Sequence, residues 1–201
     1  VLYWIGGVND TGDHALQSIP LIDPALSLVK SGEVTPFIVV VLPGKIRSGQ
    51  DTECMDIAGT NHQTWVMKTV REQVERHYRV GSTRESRFVA GWSTGGYCAA
   101  NLTSKYPLDF NSPLARVKAG NVDSRVRFLS VMSKRDRSTW GDVDNPLMLN
   151  GQVWSDGQDF WNHAHALKQY EFIVLDQGGH GTGTYVPYLG QCLRWLGQFG
   201  L

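Results

Sequence analysis

Apolar and polar positions alternate along the chain between short apolar runs and longer stretches with helical spacing. Val1–Ile5 is a continuous apolar run cut by Gly6 and Gly7, which predicts a buried strand ending in a turn where backbone comes close to a neighbour. Asp23-Pro24 offers an N-cap and a first-turn proline, and Leu26, Leu28 and Val29 lead on to Gly32, so a short helix is expected there. Phe37–Leu42, introduced by Pro36 and closed by Pro43-Gly44, is a second β-branched run suited to a parallel, doubly covered strand. Between Thr64 and Tyr78, Val66, Val70 and Val74 recur every four positions while Arg71, Glu72, Glu75 and Arg76 fill the other face, the mark of an amphipathic helix.

Arg87–Trp92 forms the next apolar strand. After Ser93 the small residues Gly95, Gly96, Ala99 and Ala100 open a helix able to pack closely on a sheet and to run to about Pro107. Val126–Met132 and Glu171–Leu175 read as further strands, and Val186, Leu189, Leu193 and Leu196 fall three or four apart on a closing helix. Such alternation predicts an α/β fold, a mostly parallel sheet with helices on both faces, whose functional residues gather at the carboxyl ends of the strands. With no repeat, low-complexity tract or linker, residues 1–201 are expected to form a single domain. Gly141–Gly157 is polar and reads as an irregular lid or loop.

Charge narrows the partners. Lys plus Arg and Asp plus Glu both count 19, so no net field draws in nucleic acid or an anionic membrane. The longest apolar run, Phe37–Leu42, is far short of the roughly 20 residues that a membrane-spanning helix needs. Val1 stands inside an expected core strand, so the native N-terminus is expected to have been cut away. Cys54, Cys98 and Cys192 make no metal motif; one bridge and one buried thiol is an available arrangement.

Gly91-Trp92-Ser93-Thr94-Gly95 matches G-x-S-x-G between an expected strand and an expected helix, the setting of a nucleophile elbow. Glycine at positions 91 and 95 lets a strained turn push the Ser93 hydroxyl outward. A serine hydroxyl needs a positioned base. His180 follows the strand Glu171–Leu175 and the turn Asp176-Gln177-Gly178-Gly179, just before the last helix. His14 and His62 read as loop residues, His77 ends the amphipathic helix, and His163 and His165, two apart, diverge on a helix. Asp136, just past Val126–Met132, falls between serine and histidine in chain order and is the expected carboxylate, with Asp142 in reserve; Asp123, Asp144, Asp156 and Asp159 fit less well. Backbone N–H groups of Val8, after the first strand, and Thr94, after the nucleophile, are the expected oxyanion donors.

Val1–Val8, Pro36–Gly44, Asp51–Cys54, Phe88–Ala100 and Gly178-Gly179-His180 together resemble the putative-esterase family of α/β-hydrolases, over nearly the whole chain. That family holds feruloyl and acetyl-xylan esterases, S-formylglutathione hydrolases and the secreted mycolyltransferases; the nearest likeness is to secreted or surface actinobacterial esterases. The resemblance implies a serine esterase acting through an acyl-enzyme on a small-molecule or polysaccharide-linked ester, without metal or organic cofactor, secreted or at the cell surface. Ser93, Asp136 and His180 match the family triad. Acyl transfer to a sugar, as in mycolyltransferases, and a non-catalytic binding module on the same fold are the competing readings.

Two departures stand out. Relatives often carry His-Gly where this chain has Gly6-Gly7, and they continue after the nucleophile helix into a further strand and a mobile loop, whereas Phe110 here runs straight into Asn111-Ser112-Pro113. A segment is therefore expected to be missing at that join. Cys54, past the second strand, and Cys98, five residues beyond Ser93, are both placed to reach the sheet's carboxyl edge and bridge in an oxidising compartment, while Cys192 reads as core. Trp92, Trp140, Trp154 and Trp161 are candidates to line a pocket, with core packing as the competing role.

Overall fold

The computed structural model describes residues 1–46, 52, 54–104, 120, 126–137, 139–140, 151–164 and 170–201. They form two compact units, Val1–Ala99 with Tyr188–Leu201 and Ala100–Pro187. The join at Phe110-Asn111, Pro107, Asp123, Asp142, Asp144 and His165 lie outside the described residues.

In the first unit the opening apolar run forms β1 (Leu2–Ile5), with all four residues buried. It is flanked on both sides by parallel partners, β2 (Val39–Leu42) and β5 (Phe88–Gly91), in the order β2-β1-β5. Successive side chains point to opposite faces of the sheet and all four are buried, which explains why a continuous rather than alternating apolar pattern suits it. Ile5 pairs with Leu42 on one side and Gly91 on the other, so all three strands end level and three loops leave from one edge.

Two helices follow β1. The first, α1 (Gly12–Ser18), was not expected: Thr11 caps it, its side chain accepting the His14 N–H at 3.3 Å, and His14 therefore lies on a helix rather than in a loop. The second, α2 (Ile22–Lys30), starts earlier than Asp23-Pro24 predicts, with Leu21 at the N-cap and Asp23 inside the first turn. There Asp23 faces the helix's positive end and Pro24 has no intrahelical bond to lose. Gly32 stops the helix as expected: its φ is +77°, its N–H donates to Val29 O at 3.1 Å, and Glu33 N–H donates to Leu28 O at 3.0 Å.

A small hairpin, β3 (Asp56–Ile57) and β4 (Thr60–Asn61), leads into the amphipathic helix, which begins two residues before Thr64. Its parts are α3 (His62–Thr64), a π-helical stretch Trp65–Val70, and α4 (Arg71–His77). Asp56 moves the start, its carboxylate accepting the Thr64 N–H at 3.0 Å and the Thr64 hydroxyl at 2.5 Å. His62 is consequently a buried helix residue, not a loop residue. Val66 and Val74 are buried as the pattern predicts, and Val70 is half-buried. Helix α5 (Thr94–Ser104) follows β5, and a disulfide joins its Cys98 to Cys54 across a Cα separation of 5.1 Å.

The second unit is built on a parallel pair, β6 (Phe128–Ser133) and β9 (Tyr170–Leu175), in register from Phe128 opposite Tyr170 to Ser133 opposite Leu175. A short antiparallel pair, β7 (Thr139–Trp140) and β8 (Gly151–Gln152), precedes α6 (Val153–Ala164). Residues 151–157 are thus regular, where the polar pattern predicted irregular chain. The reason is the face farther along the helix: Phe160 packs edge-on against Phe128 at 5.3 Å, and Trp161 stacks on Phe172 at 5.7 Å. Between β9 and the end of the chain come α7 (Thr182–Tyr185) and the expected closing helix α8 (Leu189–Gly197), whose Leu189 and Leu193 are buried in the first unit.

Candidate active site

At the end of β5 the chain reverses into α5 within three residues. Ser93 sits at φ +56°, one of only two non-glycine residues with positive φ among those described. Holding a serine there costs about 1–3 kcal/mol, so its surroundings must enforce it. They do so by contact: a Cβ on Gly91 would drive into the Gly95 carbonyl, and one on Gly95 into the carbonyl oxygens of Ile5 and Gly6. Gly95 N–H donates to Trp92 O at 2.9 Å and Gly96 N–H to Ser93 O at 2.9 Å, closing the first helical turn around the serine. Trp92 is anchored to β1, its N–H on Ile5 O at 3.2 Å.

The loop after β1 lies against this turn. A Cβ built on Gly7 falls 3.3 Å from Trp92 Cδ1. Asp10, almost fully buried, holds the loop: its Oδ2 accepts the Gly7 N–H at 2.7 Å, and its Oδ1 takes His14 Nδ1 at 2.5 Å and the Ser18 hydroxyl at 3.4 Å. Asp10 also explains Gly6, where a Cβ would lie 2.5 Å from Asp10 Cβ and 3.0 Å from Ala15 Cβ, leaving no room for a side chain. Val8 is half-buried on this loop and Thr94 opens α5. Among the described residues, no backbone hydrogen bond uses the N–H of either.

In the second unit two loops leave the level ends of β6 and β9. Asp136, on the first, is 1% exposed, and its Oδ2 accepts from His180 Nδ1, on the second, at 2.7 Å. A carboxylate at Nδ1 holds the neutral imidazole's proton on that nitrogen and leaves Nε2 as the basic atom. The Tyr185 hydroxyl donates to the same Oδ2 at 3.0 Å. The loops are stitched by the buried Ser133 hydroxyl, directed at Gly178 O at 2.7 Å and Gln177 O at 3.1 Å while accepting the Arg135 N–H at 3.1 Å. Lys134 bonds Asp176 at 2.5 Å across the surface of the loops and holds that carboxyl below its ordinary range. Burial pushes the Tyr185 phenol well above its ordinary value, and the Asp136 charge and hydrogen bond push it further.

Ser93, Val8, Thr94, Gly91 and Gly95 thus lie in the first unit, with Asp136 and His180 bonded to each other in the second. Sequence reasoning missed Asp10, Ser133 and Tyr185: Ser133 and Tyr185 reach partners 44 to 49 residues away, and Asp10 holds near neighbours in a loop and a short helix that the apolar pattern does not mark. The other described histidines are otherwise engaged. His62 is fully buried with Nδ1 2.7 Å from Thr52 Oγ1, its proton affinity depressed to about 4 by burial; His77 contacts Gln73 O, and His163 contacts Asp159 O, both at 2.8 Å. Trp161 packs within the second unit, Trp92 lies beside Gly7, and the side chains of Trp140 and Trp154 lie outside the description. Cys192 is half-buried rather than core. No cluster of metal-ligating side chains occurs among the described residues.

Solved structures place this architecture. The chain matches a ferulic acid esterase at TM-score 0.74 and 20% identity, covering 100% of this chain and 85% of that one. It matches an S-formylglutathione hydrolase from Agrobacterium tumefaciens at 0.66 and 14%, covering 100% and 84%. A fluorophosphonate-binding serine hydrolase of Staphylococcus aureus matches at 0.67 and 14%, covering 97% and 82%. No curated protein matches. The family model described as "Putative esterase" matches residues 1–185. The chain therefore belongs to that esterase family, and it is a carboxylic ester hydrolase with the α/β-hydrolase fold.

Proposed function

We propose that the whole chain acts as one catalytic domain in which Ser93 is the nucleophile, His180 its base and Asp136 the carboxylate that orients the base. The observation that carries this reading is Ser93 at φ +56° in a turn whose flanking glycines have no space for a Cβ. The Asp136–His180 bond at 2.7 Å supports it, since it engages Nδ1 and so makes Nε2 the nitrogen that would take a proton.

In this mechanism Ser93 Oγ attacks the ester carbonyl carbon as its proton passes to His180 Nε2, and Asp136 stabilises the imidazolium. The N–H groups of Val8 and Thr94 receive the developing oxyanion. Collapse of the tetrahedral intermediate breaks the C–O bond, His180 returns the proton to the leaving alcohol, and an acyl ester remains on Ser93. Water, deprotonated by His180, then attacks that ester, and as the acyl C–O bond breaks His180 passes the proton to Ser93 Oγ, releasing the acid and restoring the hydroxyl. Every step uses protein groups and water alone.

The substrate class is a small-molecule ester or an ester carried on a polysaccharide; likeness to a ferulic acid esterase favours testing aromatic acyl groups. The Cys54–Cys98 disulfide supports an oxidising, secreted or cell-surface location. Turnover of short p-nitrophenyl esters and of methyl ferulate, with labelling by a fluorophosphonate probe, tests the reading. Ser93→Ala should lower kcat by roughly 10⁶-fold and abolish the label. Wild-type turnover in that variant would leave the mechanism without a nucleophile.

A further inference from the structure

Asp136 Oδ2 serves two donors, the imidazole of His180 at 2.7 Å and the phenol of Tyr185 at 3.0 Å. A carboxylate with 1% exposure has almost no water to take up its lone pairs, so the protein donors that reach it, these two among them, govern its rotation and the strength of each bond it accepts. We propose that Tyr185 is a positioning residue for the base, its hydroxyl holding Asp136 in place and dividing the charge of Oδ2 between phenol and imidazole. The inference rests on the reading of Asp136 and His180 as the acid–base pair.

Delivery of this donor is local: Tyr185 ends α7, five residues past His180, so the segment that supplies the base also supplies its regulator. Burial keeps the phenol protonated, and hence a donor, throughout the range in which an esterase works. The charged groups on the packed loops are Lys134, Arg135, Asp136 and Arg137 after β6 and Asp176 after β9, and Lys134 and Asp176 are bonded to each other at 2.5 Å. Removing the phenolic donor concentrates the charge of Oδ2 on the imidazole, which strengthens its hold on the imidazolium while loosening the carboxylate.

The test compares wild type, Tyr185→Phe, and protein carrying 3-fluorotyrosine at position 185, a more acidic donor of nearly the same shape. Tyr185→Phe should lower kcat about tenfold, the scale of one hydrogen bond to a charged group, with KM within about twofold of wild type. The acid limb of kcat/KM should move to higher pH, and the downfield Nδ1–H proton resonance of His180 should move further downfield. The fluorinated protein should move limb and resonance the opposite way. If Tyr185→Phe does not fold, the fluorinated protein decides alone. Limb and resonance unchanged in every variant that folds, while Ser93→Ala is inactive, would reduce Tyr185 to packing and leave the triad standing. Activity retained by Ser93→Ala would remove the triad reading, while the resonance would still report whether Tyr185 and His180 share Asp136.

Discussion

The turn carrying Ser93 and the loops carrying Asp136 and His180 have comparable places in the proposed mechanism, each presenting a candidate catalytic side chain at the carboxyl ends of parallel strands. They are held in different ways. Around Ser93 the backbone itself is crowded: Gly91 meets Gly95, Gly95 meets Ile5 and Gly6, and Gly44 meets the carbonyls of Gly6 and Gly7. Around His180, Gly179 and Gly181 stand in the open, with no atom within 4 Å of a Cβ built at either; a Cβ at Gly178 would meet the Thr184 side chain first, at 2.5 Å, not backbone, and side-chain hydrogen bonds from Ser133, His180 and Tyr185 do the holding. Steric exclusion suits an atom that must remain in a strained conformation. Hydrogen bonding suits a group that the proposed mechanism makes a base, whose charge changes during the reaction.

The sharpest way to break this contrast is the same substitution on both sides. Gly95→Ala places a methyl group on rigid backbone carbonyls, and is expected to cost about 4 kcal/mol or more, or to prevent folding altogether. Gly181→Ala enters open space at φ −73° and ψ 144°, a conformation alanine adopts freely, and should stay within about 0.5 kcal/mol of wild type. Urea midpoints of the two variants check both. Equal effects would mean that crowding does not distinguish the two regions.

That difference also governs what the sequence makes legible. The elbow is readable because its causes are local: glycine, serine and glycine, two apart, with an apolar run on one side and small residues on the other. The level strand ends follow from the same runs. His180 and Asp136 are readable from chain order, but the bonds that hold them are not, because Tyr185 reaches Asp136 across 49 residues and Ser133 reaches Gly178 across 45. A tyrosine five positions after a histidine carries no pattern of its own. Helix α1 escaped notice because its seven residues bury only Ala15, too little to make an apolar stripe.

A second expected effect concerns the covalent tie in the first unit. The Cys54–Cys98 bridge closes a sequence separation of 44 residues, which in the chain-entropy account stabilises by about 4 kcal/mol. It fastens the helix that starts at the elbow, so it reinforces the sterically held region. Cys54→Ala with Cys98→Ala should lower the urea midpoint accordingly. Ester turnover should fall only as far as folded protein is lost. Loss of turnover in protein that remains folded would show that the bridge shapes the elbow rather than merely stabilising its unit.

Beside the bridge lies the group that should give this region its acid sensitivity. His62 is fully buried, its Nδ1 2.7 Å from Thr52 Oγ1 and its Nε2 3.7 Å from Cys54 Sγ. Burial lowers its proton affinity from 6.5 to about 4, against the opposing pull of the Asp56 charge. As pH falls below 6.5 the unfolded chain takes up a proton that the folded chain refuses, so stability is complete above that pH and declines until about pH 4. The full loss is about 3 kcal/mol, an order-of-magnitude figure. His62→Gln removes the titration and should flatten stability between pH 6.5 and 4, whatever it costs at neutral pH. A slope unchanged in that variant would place the acid sensitivity elsewhere. A flattened slope would show that the region held by crowding, closed to water and to side-chain adjustment, is also the one that cannot accommodate a new charge.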